Sequence, residues 1–169
     1  MLRERLGLLR RSISVGIVTE KYPYKPIEVP EGFRGKPVID QDKCLGCGAC
    51  VNACPPNALS MTDDLDRGVR VIKLFLGRCI FCGRCQDVCP VEAIKLTREF
   101  ELASINHNDL YQEVALVMAK CMVCGRPYTT IRLVEHVASN LPREQRSHLL
   151  LCPDCREKHS SKKVSYARW

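Results

Sequence analysis

The sequence has few aromatic residues (6%), no uninterrupted stretch of 18 apolar residues and no catalytic signature. A membrane-crossing helix needs about 20 mostly apolar residues, so no segment is expected to span a bilayer. There is no Ser/His/Asp constellation and no glycine-rich phosphate cradle, so hydrolytic and nucleotide-dependent chemistry are not expected. The four histidines have no ligand spacing; His136 and His159 lie nearest to cysteine pairs and read as surface residues. Asp63, Asp64 and Asp66 lack the frame of a calcium loop and read as a solvated turn. The apolar run after Arg10-Arg11 is short, contains two serines and a glycine, and stops at Glu20-Lys21. Neither a Sec nor a twin-arginine export signal is expected there.

What the chain has in excess is cysteine, 12 of 169 residues. Ten of them sit in C-x2-C links, which is ligand spacing for metal in a reducing compartment rather than a secreted disulfide framework. The line "CLGCGACVNACP" begins at Cys44 and "CIFCGRCQDVCP" at Cys79, so four cysteines repeat with a constant offset of 35 residues. Gly48 and Gly83, and Pro55 and Pro90, repeat at the same offset. This is an internal duplication.

Three thiols at successive i, i+3 steps can wrap one corner set of an iron–sulfur cubane. The full run C-x2-C-x2-C-x3-C-P is that of two-cluster bacterial ferredoxins, in which the fourth cysteine serves the other cluster. One 4Fe–4S cluster is therefore expected on Cys44, Cys47, Cys50 and Cys89, and the other on Cys79, Cys82, Cys85 and Cys54. Crossed ligation would hold two clusters close together, as electron tunnelling requires. Four cysteines saturate each cluster and leave no position for a substrate, so electron transfer is expected rather than a catalytic site.

Cys121, Cys124, Cys152 and Cys155 form a second pattern, two C-x2-C pairs with 27 residues between them. This spacing fits a tetrahedral four-thiolate site of structural role, with zinc expected first and a rubredoxin-like iron second. The formal charge of +7 would by itself suggest a nucleic-acid partner, and a zinc-dependent nucleic-acid-binding or regulatory protein is one alternative. That charge counts every cysteine as neutral. Each oxidised cubane with its thiolates carries roughly −2, as does a divalent four-thiolate site, which leaves about +1. No nucleic acid is then expected.

Composition divides the chain into five parts. Residues 1–37 hold an amphipathic helix over 1–20 and a docking arm. The helix is carried by Leu2, Leu6, Leu9, Ile13 and Ile17 among Arg3, Arg5, Arg10 and Arg11; the arm is extended by Pro23, Pro26, Pro30 and Pro37. Residues 38–97 hold the duplicated unit, read as a βαβ-βαβ plan with strands at "NALSM", "VRVIKLFL" and "EAIKL". Residues 98–120 read as a connecting helix, with Asp109 and Gln112 resembling a capping box. Residues 121–155 form a four-Cys module with a helix at "TTIRLVEHVASNL", and 156–169 a basic, mobile tail. The fold class is α+β.

The arm "YPYKPIEVPEGFRGKP", the paired cysteine lines and "AIKLTREFELA" resemble the two-cluster ferredoxin-like subunit of respiratory complex I and its hydrogenase relatives. With the four-Cys extension, the chain resembles the iron–sulfur subunit of formate hydrogenlyase-type, membrane-bound nickel–iron hydrogenases. The resemblance implies an electron relay between a peripheral donor module, of formate dehydrogenase or ferredoxin type, and the hydrogenase small and large subunits. It also implies a peripheral place on the cytoplasmic face of the membrane, with integral subunits near the N-terminal helix. A quinone-reducing complex I subunit is the other branch.

Overall fold

A computed structural model describes residues 2–166, with side chains from residue 6 to residue 160. Met1 and 167–169, and the side chains of Leu2, Arg3 and Arg5, lie outside the described residues. The chain divides into two units, 1–33 and 34–169. In the first, α1 runs over Leu2–Val15. It stops five residues short of the expected 20 because Gly16 adopts φ +67, the left-handed turn that ends helices, and donates its N–H to Ser12 O at 3.2 Å. Leu6, Leu9 and Ile13 are all exposed on this helix. The proline-rich stretch that follows contains turns and no strand or further helix.

In the second unit, β1 (Pro37–Ile39), α2 (Ala49–Asn52) and β2 (Leu59–Asp64) form one copy of the duplication. β3 (Val69–Phe75), α3 (Arg84–Asp87) and β4 (Ile94–Leu96) form the other. The copies exchange strands. β1 pairs antiparallel with β4, Ile39 opposite Ile94, while β2 pairs antiparallel with β3, Leu59 opposite Leu74. Ile39 and Leu74 are 35 residues apart, as are Leu59 and Ile94, so the register repeats with the sequence. Gly48 (φ 77) and Gly83 (φ 84) take the same left-handed conformation at the start of α2 and α3. Along β3, Arg70, Ile72 and Leu74 point inward by strict alternation; Ile72 and Leu74, with Leu59 and Ile94, carry the core.

Beyond residue 97 the structure departs from the sequence reading. Residues 111–120 are not helix but a ten-residue strand, β5 (Tyr111–Lys120), lying antiparallel against β3. Val114, Leu116 and Met118 are buried on it while Glu113, Ala115 and Val117 are exposed, a period of two that only a strand can satisfy here. Asp109 accepts from Ser104 Oγ at 2.7 Å, and Gln112 Nε2 donates to Pro37 O at 3.0 Å, so no capping box forms. A short strand that the sequence did not suggest, β6 (Pro127–Thr130), completes a sheet of order β2-β3-β5-β6. α4 (Ile131–Ser139) follows, begun by the Thr130 hydroxyl accepting from Leu133 N–H. The expected mobile tail is a helix, α5 (Pro153–Tyr166), with Pro153 at its first position, where a missing N–H costs nothing.

Candidate metal centres

Two pockets of similar size gather the cysteines of the duplicated unit. The first is lined by Cys44, Cys47, Cys50 and Cys89, together with Ile39, Ile72 and Ile94. The second is lined by Cys54, Cys79, Cys82 and Cys85, with Leu59 and Leu74. Each cavity thus gathers three cysteines of one copy and the fourth of the other. The strand exchange brings this about: Cys54 leads into β2, which belongs beside β3, and Cys89 leads into β4, which belongs beside β1. The fourth sulfur of each run is held alike, accepting from Ala58 N–H at 3.3 Å in one copy and from Ala93 N–H at 3.1 Å in the other.

The walls are apolar, and burial raises the thiols of Cys44, Cys50, Cys79 and Cys85. Cys50 is pushed up to about 12 and Cys85 up to about 11, chiefly by burial, with neighbouring cysteines adding in the same direction. α2, which carries Cys50, packs against α3, which carries Cys85, so the two sets adjoin. Such thiols are protonated at neutral pH until a cation takes the proton's place. A polynuclear cation with four open positions fits this donor set.

The C-terminal four sulfurs are packed more tightly. Those of Cys121, Cys124, Cys152 and Cys155 lie within 4.8 Å of one another. Cys121 and Cys152 are buried, and all twelve cysteines of the chain are free thiols. Hydrogen bonds from the backbone of Cys152 and then Cys124 lower Cys121 to about 6, while hydrogen bonding to Cys152 and burial push Cys155 up to about 12. Four thiols this close cannot all ionise without a cation between them, and the group could hold a metal ion. Arg126 Nη2 lies 3.9 Å from the Cys152 sulfur and pairs with Asp154.

Several residues around these centres escape sequence reasoning. Asp63 does not lie in a merely solvated turn: it holds Arg70 through both oxygens, at 2.6 and 2.7 Å. Hydrogen bonding to that guanidinium holds the Asp63 carboxyl below its usual range. Arg70 is 8% exposed, and its Nη1 reaches Gly46 O at 2.9 Å. Thr130 donates to Leu45 O, and Arg132 donates to the carbonyls of Gln41 and Cys44. The four-Cys segment is therefore not a separate body. It continues the ferredoxin sheet and lies on the first cysteine loop. The available signal was a charge at an inward position of β3.

Residues 43–93 match the family model described as a 4Fe-4S dicluster domain. Formate hydrogenlyase subunit 6 of Escherichia coli (strain K12) is 41% identical over 155 residues, covering 88% of this chain and 86% of that protein. The chloroplast NAD(P)H-quinone oxidoreductase subunit I of Jasminum nudiflorum is 40% identical over 105 residues, covering 59% of this chain and 63% of its own length. Among solved structures, a chain of the membrane-bound sulfane sulfur reductase, an archaeal respiratory membrane complex, shares 32% identity over 63% of this chain and 56% of its own, with a TM-score of 0.48. The crossed cysteine cavities, the dicluster match and the near full-length identity together lead to one conclusion: this chain is a two-cluster iron–sulfur protein and belongs to the family of formate hydrogenlyase subunit 6.

Proposed function

We propose that this chain relays electrons between a peripheral donor, of formate dehydrogenase or ferredoxin type, and the nickel–iron hydrogenase of a membrane-bound complex. The observation that carries this reading is the pair of adjoining, apolar, four-cysteine cavities. Cys44, Cys47, Cys50 and Cys89 would hold one 4Fe–4S cluster, and Cys79, Cys82, Cys85 and Cys54 the other. When bound, each cluster supplies a one-electron carrier. The cysteines would saturate it, Ile72 and Leu74 keep water from its buried side, and the packing of α2, which carries Cys50, against α3, which carries Cys85, would keep the hop short.

Residues 38–97 form the cluster-bearing part. Residues 1–37 dock on the partner assembly, a reading supported by the exposed Leu6, Leu9 and Ile13. The chain would sit peripherally at the cytoplasmic face, beside integral subunits; among the described residues no helix is long and apolar enough to cross a membrane. Residues 121–155 form a metal-tied module resembling a zinc ribbon. The Cys124 and Cys152 sulfurs are 3.7 Å apart, against about 3.8 Å for the edge of a tetrahedron with 2.3 Å metal–sulfur bonds. Zinc is assigned first, since the module needs a structural ion; a rubredoxin-like iron has the same dimensions.

The test is to express the chain with its neighbouring subunits, then identify what co-purifies and count metal. About eight irons in two cubanes plus one further ion, in a particle containing hydrogenase subunits, is the expected result. Recovery with a quinone-reducing assembly instead would overturn the choice of partner.

A further inference from the structure

The two cysteine loops are equivalent in sequence but are held differently. In the first, the carbonyls of Gln41, Cys44, Leu45 and Gly46 all accept hydrogen bonds from side chains remote in sequence. Arg132 Nη1 donates to Gln41 O, and to Cys44 O at 3.4 Å. The Thr130 hydroxyl donates to Leu45 O, and Arg70 Nη1 donates to Gly46 O at 2.9 Å. In the second loop, Arg34 Nη1 donates to Cys82 O at 3.4 Å. Arg34 is exposed, so water screens its charge, whereas Arg70 is buried.

The orientation of Arg70 matters as much as its charge. Asp63 grips Nε and Nη2 and leaves Nη1 aimed at the loop, so the pair presents its positive end to Gly46, beside Cys47. Arg132 places a second guanidinium on the carbonyl of Cys44 itself. Cationic donors fixed beside a ligand loop stabilise added negative charge there, and more strongly where water is excluded. Reduction potentials of iron–sulfur sites respond to these quantities: local charge, hydrogen bonding and exposure.

We propose that Arg70, Thr130 and Arg132 are positioning residues that hold the Gln41–Gly46 loop and give the cluster on Cys44, Cys47, Cys50 and Cys89 the higher reduction potential of the two. The proposal rests on the ligand sets given above. It makes the relay polar: an electron shared between the two cavities rests in the first, against whose cysteine loop β6 and α4 lie.

The experiment is potentiometric titration of the reconstituted full-length chain, followed by electron paramagnetic resonance. The two midpoints are assigned with Cys47→Ser and Cys82→Ser, each of which alters one signal. In the unsubstituted chain the higher midpoint should belong to the Cys47 set. Arg132→Gln should move that midpoint alone to more negative values, and Arg132→Lys, which keeps the charge, should restore most of it. Should Arg132→Gln fail to load the first cubane, Thr130→Val removes one donor at nearly constant volume and is read the same way. A higher midpoint on the Cys82 set overturns the proposal. So does an unmoved midpoint in both Arg132→Gln and Thr130→Val carrying two cubanes. Fewer than about eight irons in the fully reconstituted, unsubstituted chain would instead break the ligand-set reading on which the proposal stands.

Discussion

The loop from Cys44 to Cys50 and the loop from Cys79 to Cys85 began as copies, and their differences show what the rest of the chain does to each. Leu45 is 9% exposed; its counterpart Ile80 is 60% exposed. Gly46 and its counterpart Phe81 both take positive φ, +71 and 53. At Gly46 a Cβ would meet Thr130 Cγ2 at 2.6 Å and Leu116 Cδ1 at 2.8 Å, so only glycine fits beneath the β5–β6 hairpin. Phe81 keeps a full side chain in the same backbone region. One loop is roofed by the chain's own C-terminal extension, and the other retains an exposed apolar side chain. The lesson is that two copies of a cysteine loop can be held differently without changing a cysteine.

The largest effect on this comparison should come from the four-Cys site. In isolated zinc-binding peptides the ion contributes on the order of 10 kcal/mol to folding. Cys152→Ser should therefore unfold much of 121–155 and release the grip of Thr130 and Arg132. Hydrogen exchange should rise across residues 41–46 and stay unchanged across 76–81. Equal loosening of both loops would mean that the extension roofs neither one in particular.

Next in size is Gly46→Ala, which adds a clash to positive-φ strain and should cost about 2–4 kcal/mol. Gly83→Ala, with nothing within 4 Å of the new methyl, should cost only about 1 kcal/mol. Urea titration, followed through loss of cluster absorbance, measures both. Similar costs would contradict the roof. Neighbouring side chains give a third contrast, with the smallest single effect at Ile80. Leu45→Ala should cost about 2–3 kcal/mol and Ile80→Ala about 0.5 kcal/mol or less, unless a partner subunit covers Ile80.

The grouping of the cysteines into sets of four was legible because spacing alone encodes it: i, i+3 steps and a constant offset survive any packing. The β3 strand was legible from its alternation. β5 was misread because Tyr111–Lys120 is rich in good helix formers, and only the open edge of β3, forty residues earlier, decides otherwise. The alternation of Val114, Leu116 and Met118 was present but competed with that propensity. α5 looked like a tail because its charge and serines dominate, although Pro153 marked its start. For Arg70 the sequence offered only a charge at an inward position of β3. Its role depends on where Gly46 and Asp63 come to lie, 24 residues before it and seven residues before it.

The crossing of ligands between the copies is tested most directly by Cys54→Ser and Cys89→Ser, each reconstituted and measured by electron paramagnetic resonance. Cys54 lies two residues beyond α2 yet lines the cavity of Cys79, Cys82 and Cys85. Cys54→Ser should damage the cluster of that cavity and spare the one on Cys44, Cys47 and Cys50, with Cys89→Ser doing the reverse. Selective loss of the cluster on Cys44, Cys47 and Cys50 in Cys54→Ser would contradict crossed ligation.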